Sequence, residues 1–190
     1  MHSFIFPIIT ALLLSTHPAL SFPTHLSLHP RTDYCANAPN VVAGTLLSAR
    51  SLRLPTRTTP TTRVVGATRW CAPNSRTYIY VTLIAQTAGP AIRNLLNAAL
   101  HFSEDYIILM GDRVMPAEGM NYIPVDGYRV MFANANNHQI TWGVYGAALV
   151  ALMQFMDAHG WGPAVFRVVD GSNAVATGVV KRVLPESGGS

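Results

Sequence analysis

His138 is the side chain in this sequence best suited to proton transfer, and Glu104, Asp105 and Asp112 are the carboxylates that would work with it. An imidazole beside a carboxylate in a cleft is the equipment of general acid–base catalysis, as in ribonuclease-like or glycosidase-like sites. Asn136, Asn137 and Gln139 surround His138 just ahead of a long apolar run. A helix starting there would present free amides and a positive dipole end, which favour a carboxylate, a phosphate or a sugar hydroxyl. Asn136, Asn137 and His138 are therefore ligand-binding candidates. The plainer reading is that the asparagines cap the helix and the histidine is a surface residue. No spacing forces the imidazole and the carboxylates together, and no GxSxG, P-loop, HExxH or paired CxxC motif is present. His138, Glu104 and Asp112 are thus catalytic candidates with no motif behind them.

Trp142, Tyr145 and Trp161 offer a second kind of site, an aromatic platform for a glycan or a partner. Trp142 and Tyr145 are three apart and share a helix face, where core packing is the usual role. Trp161 stands between two glycines at a chain corner and is expected to be the most exposed of the three. His25 and His29 have a spacing that holds a metal only on a helix, and Pro23 and Pro30 oppose one. No metal site and no cofactor is expected. Cys35 and Cys71 are the only cysteines. In a secreted chain the pair implies one disulfide, and in a reducing compartment it implies two free thiols.

Positioning these residues falls to a few elements. Residues 134–171 are the organising stretch, with asparagines first, then an apolar segment at 140–156, a Gly-Trp-Gly corner and a Val-rich strand. The segment is apolar almost all round, so its helix must be buried in protein or in a bilayer. It is short for a span and lacks a flanking Lys or Arg cluster, which favours a core helix over membrane attachment. Gly143, Ala147 and Ala151 form a small-residue stripe that would admit a neighbouring backbone, and Gly160 suits the helix end. Upstream, residues 77–86 (TYIYVTLIAQ) predict a strand buried on both faces. Gly89-Pro90 opens another helix, with Ile92, Leu95, Leu96, Ala99, Leu100 and Phe102 at helical spacing and Gly111 at its end. Residues 111–127 read as a loop, 128–133 as a strand, and 164–170 with 174–182 as a hairpin around Asp170-Gly171-Ser172-Asn173.

Val81-Thr82-Leu83-Ile84 ahead of Asn97-Ala98-Ala99-Leu100 is echoed by Val130-Met131-Phe132-Ala133 ahead of Gly146-Ala147-Ala148-Leu149. The expected fold is α+β in two layers. A mainly antiparallel sheet of four to five strands carries two helices on one face, with a candidate strand–helix pseudo-repeat.

The chain has 190 residues, 49% of them hydrophobic, which suffices for one core with extensions. Charged residues make up only 12%, about half the usual share. Net charge is +4, yet seven of the 13 basic side chains and only one of the nine acidic ones precede Thr77. The basic character therefore belongs to residues 22–76, an Arg/Thr/Pro-rich arm with RLPTRTTPTTR at its centre. That composition resists core packing and suits O-glycosylation, with short strands expected at 41–48 and 63–67. Its arginines would attract a polyanion, but no aromatics are interleaved among the central ones. A solvated linker is favoured, and nucleic acid is disfavoured as a partner. Residues 1–21 read as a secretory signal peptide cut after Ala19-Leu20-Ser21, although Lys and Arg are missing from its start and a retained anchor is the alternative. An α+β domain would then occupy 77–184, followed by a disordered tail at 185–190.

The stretches NNHQITWGVYGAAL and GWGPAVFRVVDGSNAVATGVV resemble a group of small secreted fungal proteins with no established activity. The resemblance covers residues 77–181 and leaves the arm as an extension. It implies secretion, an α+β domain and an effector-like role at a host or a cell wall, and it transfers no catalytic residue. Taken together, the expectation is a secreted, non-enzymatic interaction protein with an extracellular partner, either a host component or a cell-wall polymer. The alternative is a small extracellular hydrolase using His138 with a carboxylate.

Overall fold

In the computed structural model the described residues are 34–48, 66–87, 89–116, 118–125 and 127–183. The expected signal peptide, His25, His29, the RLPTRTTPTTR segment, Asp126 and the 185–190 tail lie outside them. In chain order the elements are β1 (Tyr34–Cys35), β2 (Ala38–Val42), β3 (Thr68–Cys71), β4 (Thr77–Leu83), α1 (Gly89–Met110), β5 (Met120–Val125), β6 (Tyr128–Asn134), α2 (Trp142–His159), β7 (Ala164–Asp170) and β8 (Asn173–Arg182).

Six strands form one sheet in the order β3-β4-β7-β8-β6-β5, and β1 pairs with β2 in a small second sheet. Every described ladder is antiparallel. This is the α+β fold expected from the sequence. β5 is the strand hidden in what reads as the 111–127 loop. Pro116, Gly119 and Pro124 mask it, and its ladder with β6 shifts register between Tyr122 and Val125, as a proline without an amide donor allows at a sheet edge. Of the two short strands expected in the arm, the one at 41–48 overlaps β2 at Ala38–Val42; residues 63–65 of the other lie outside the described residues, and β3 follows at Thr68–Cys71. The packed unit thus begins well before Thr77.

One face of the large sheet carries both helices. Ile79 and Val81 of β4, Val130 and Phe132 of β6, Ala164, Phe166 and Val168 of β7, and Ala176 and Val180 of β8 alternate onto that face and are buried in the main core. Ile92, Leu95, Leu96 and Ala99 of α1 meet them there, as do Tyr145, Leu149, Leu152, Phe155 and Met156 of α2. The two helices run antiparallel. Arg93 near the start of α1 pairs with Asp157 near the end of α2 at 3.0 Å. At the other end, Asp112 just past α1 bonds Gly143 near the start of α2. Within the expected small-residue stripe, Gly143 faces Asp112, while Gly146, outside that stripe, packs against α1. A Cβ there would stand 3.2 Å from Ser103 Oγ of α1. The two echoed segments become β4–α1 and β6–α2, placed either side of the central β7–β8 hairpin.

The start of α2 differs from expectation. Asn136 and Asn137 do not cap it; both have φ near +55° and form the centre of a tight turn closed by His138 N to Ala135 O at 3.0 Å. Thr141 is the cap, its hydroxyl accepting from Val144 N. Asparagine suits both roles, since it tolerates the left-handed region as readily as it caps. Asn134 brackets the loop, with its side-chain oxygen accepting from Ile140 N and its amide donating to Pro116 O.

Part of the arm covers the sheet's second face. Cys35 and Cys71 form a disulfide, with Cα atoms 5.6 Å apart. The buried Asn37 side chain donates to Cys71 O and accepts from Cys71 N, imitating a strand partner along β3. Ala38 and Leu47 then pack with Tyr78 and Val169 in a small second core. β4 is therefore buried on both faces only over Thr77, Tyr78 and Ile79; beyond the arm, Tyr80 and Thr82 are half-buried.

Candidate functional site

Beyond the arm the second face of the sheet is open, and pairing register fixes its composition. Arg69, Tyr80, Arg167, Thr177 and Ala133 form one row across β3, β4, β7, β8 and β6. Alternation sends each of them away from the helices, because their strand neighbours are the core residues. The Arg69 guanidinium lies 4.7 Å from the Tyr80 ring centroid and donates to its hydroxyl. A cation held against a phenol is fixed in place and keeps its ring partner rigid. Arg167 is exposed and makes no side-chain hydrogen bond or ion pair among the described residues.

Next to this row is an open depression of about 330 Å³. Tyr78, Tyr80 and Arg167 form its floor, Ser172 and Asn173 of the β7–β8 turn form one wall, and Asn136 and His138 form another. The left-handed turn at Asn136 and Asn137 brings His138 over the end of β8, where Ala135 N donates to Val175 O. Hydroxyl, amide, imidazole and guanidinium groups thus converge on one concavity, and no carboxylate lines it. Such a set donates hydrogen bonds to an anion or a polyol and offers phenol rings for stacking.

Among the residues proposed from sequence, only Asn136 and His138 share this site. Asn137 is exposed in the same turn and is not among the residues that line the depression. Asp112 is committed to the fold: Gly143 N donates to its carboxylate at 2.8 Å and the Thr141 hydroxyl at 3.3 Å. The anion favoured at the start of α2 is therefore the chain's own side chain. Glu104 pairs with His101 one turn away on α1, at 3.2 Å. The structure does not bring His138 together with either carboxylate. Among the described residues, no three His, Cys, Asp or Glu side chains are placed to hold a metal. No helix among them is long and apolar enough to cross a membrane.

The aromatic candidates divide as their positions suggest. Trp142 is 4% exposed and Tyr145 fully buried, while Trp161 is half-buried. Trp142 stacks on Tyr106 at 4.3 Å. Burial, and then the neighbouring Tyr122, pushes the Tyr145 phenol above the ordinary tyrosine range. Trp161 is engaged internally, with Arg93 over its ring at 4.6 Å and Asp157 accepting from its indole nitrogen. It is a corner brace rather than an open platform.

Comparison with known protein families, with curated proteins and with solved structures finds no match. Tyr80, Arg167, Ser172 and Asn173 border the depression together with His138, and none of the four belongs to a functional motif visible in the sequence. Arg167 had a weak signal, as the lone charge inside the otherwise apolar run AVFRVV; with Phe166 and Val168 buried, strand alternation sends it to the open face.

Proposed function

We propose that the chain is a secreted, non-enzymatic binding protein whose open sheet face holds an anionic, hydroxyl-rich ligand, such as a sugar acid of a host or cell-wall polymer. The observation that carries this reading is the row Arg69–Tyr80–Arg167 beside the depression that His138 and Asn136 border. The cations there face no carboxylate within the depression, and the phenols supply a stacking surface for a sugar ring. Secretion is supported by the Cys35–Cys71 disulfide, which persists in oxidising compartments. A resemblance to small secreted fungal proteins agrees with the same reading.

Retention on acidic and neutral polysaccharide suspensions tests it. The intact protein should be retained by the acidic polymer, and Arg167→Gln should weaken retention by about tenfold, the usual scale for a hydrogen bond to a charged group. Equal retention of the two proteins, or none on either polymer, contradicts the proposal. Release of sugar fragments that stops in His138→Ala would establish a hydrolase instead.

A further inference from the structure

A second cationic group stands on the same open face, apart from the depression. Arg129 of β6 and Lys181 of β8 are direct cross-strand partners, and both alternate away from the helices. Like charges placed opposite each other in a ladder repel. Among the described residues no carboxylate pairs with either side chain, and Arg129 Nε is buried without a hydrogen-bond partner there. The fold thus maintains an unfavourable pair that an anion would relieve.

The positions are in line. Arg167 pairs with Thr177, and Lys181 lies four residues further along the same strand, about 13 Å away at the rise of an antiparallel strand. Between them runs an apolar row, Val165, Val179 and Met131, and an open depression of about 260 Å³ lies over Val179 and Met131. Glu118 on its rim is the one carboxylate bordering that depression. Cation, apolar floor and cation therefore follow one another along β8.

We propose that this face binds a linear acidic polysaccharide, laid along β8, with one carboxylate at Arg167 and His138 and another at Arg129 and Lys181. The inference rests on the proposed binding reading and adds the shape of the ligand. A polymer of acidic sugars presents anionic groups at intervals and apolar ring faces between them, which matches the order of the row. A monomeric sugar acid would leave Arg129 and Lys181 unused, and a neutral glycan would leave both cationic groups uncompensated.

Titration with oligogalacturonates of increasing length tests the inference. Affinity should rise until the oligomer spans both cationic groups and then level off, with salt dependence steepening over the same lengths. Lys181→Gln, and Arg129→Gln with Lys181→Gln, should remove most of that gain while leaving the shortest binding oligomer unaffected. The Lys181→Gln variant alone keeps the test valid if the double variant folds poorly. Short and long oligomers binding equally, or both losing affinity alike in Lys181→Gln, would overturn the linear-polymer inference and leave the depression as a monomer site. Tighter binding of single-stranded nucleic acid than of any oligogalacturonate would also overturn it. If no oligomer binds, or Arg167→Gln changes nothing at any length, the underlying binding reading fails as well.

Discussion

Tyr145 shows most clearly how single side chains were divided between fold and site. Its hydroxyl is buried with no hydrogen-bond partner among the described residues, so no bond there offsets its desolvation. Tyr145→Phe should leave stability unchanged or raise it by up to about 1 kcal/mol. The effect also depends on pH. The phenol titrates higher in the folded chain than in the unfolded one, so the fold loses stability as pH rises past about 10, where the unfolded phenol ionises. Denaturant unfolding at several alkaline values should show that loss in the parent protein and a smaller loss in Tyr145→Phe. An equal loss in both would assign it elsewhere. At this scale the sequence was only partly legible. His138 and Asn136 could be singled out from residue type. Asp112 could not be placed, because the approach of its carboxylate to Thr141 and Gly143 is set by how α1 ends against α2. Arg167 and Tyr80 become a site only once β4 and β7 are paired in register.

Elements were easier to read than their boundaries. α1 ends where Gly111 adopts a positive φ, and α2 ends at Gly160, whose amide bonds Met156 O. The missed N-cap has a physical cause: a polar lead-in such as NANNHQIT offers several capping residues, and the tertiary bracket from Asn134 decides among them. β5 was missed because turn residues interrupt it. Helix packing provides a test at this scale. Gly146 lies against Ser103 and Leu100, so Gly146→Leu should force the helices apart and cost about 1–3 kcal/mol. Urea unfolding measures it, and a parental midpoint would mean that α1 and α2 are not so close.

Across the whole molecule, the disulfide ties the arm to the sheet and decides how much of the second face is open. Cys35 and Cys71 are 36 residues apart, and closing such a loop contributes about 4 kcal/mol through the unfolded chain. Cys35→Ser with Cys71→Ser should therefore lower the unfolding free energy by a few kcal/mol and raise hydrophobic-dye binding, as Tyr78, Val169 and Leu47 lose their cover. An unchanged free energy and no added dye binding would mean that the arm is held by Asn37 and the Leu47 backbone bonds alone. The sequence anticipated the pairing and the two-layer architecture. It could not anticipate that residues 34–48 close one end of a face whose other end carries the cations.

The most direct measurement is amide chemical-shift mapping of the intact protein during titration with an oligogalacturonate. The account expects shifts at Tyr80, Arg167, Asn173 and His138, extending to Thr177, Lys181 and Arg129 as the oligomer lengthens, with α1 and α2 silent. Shifts confined to the helices, in particular around the exposed Ile108, Leu109 and Met110 at the end of α1, or no shifts at all, would contradict it.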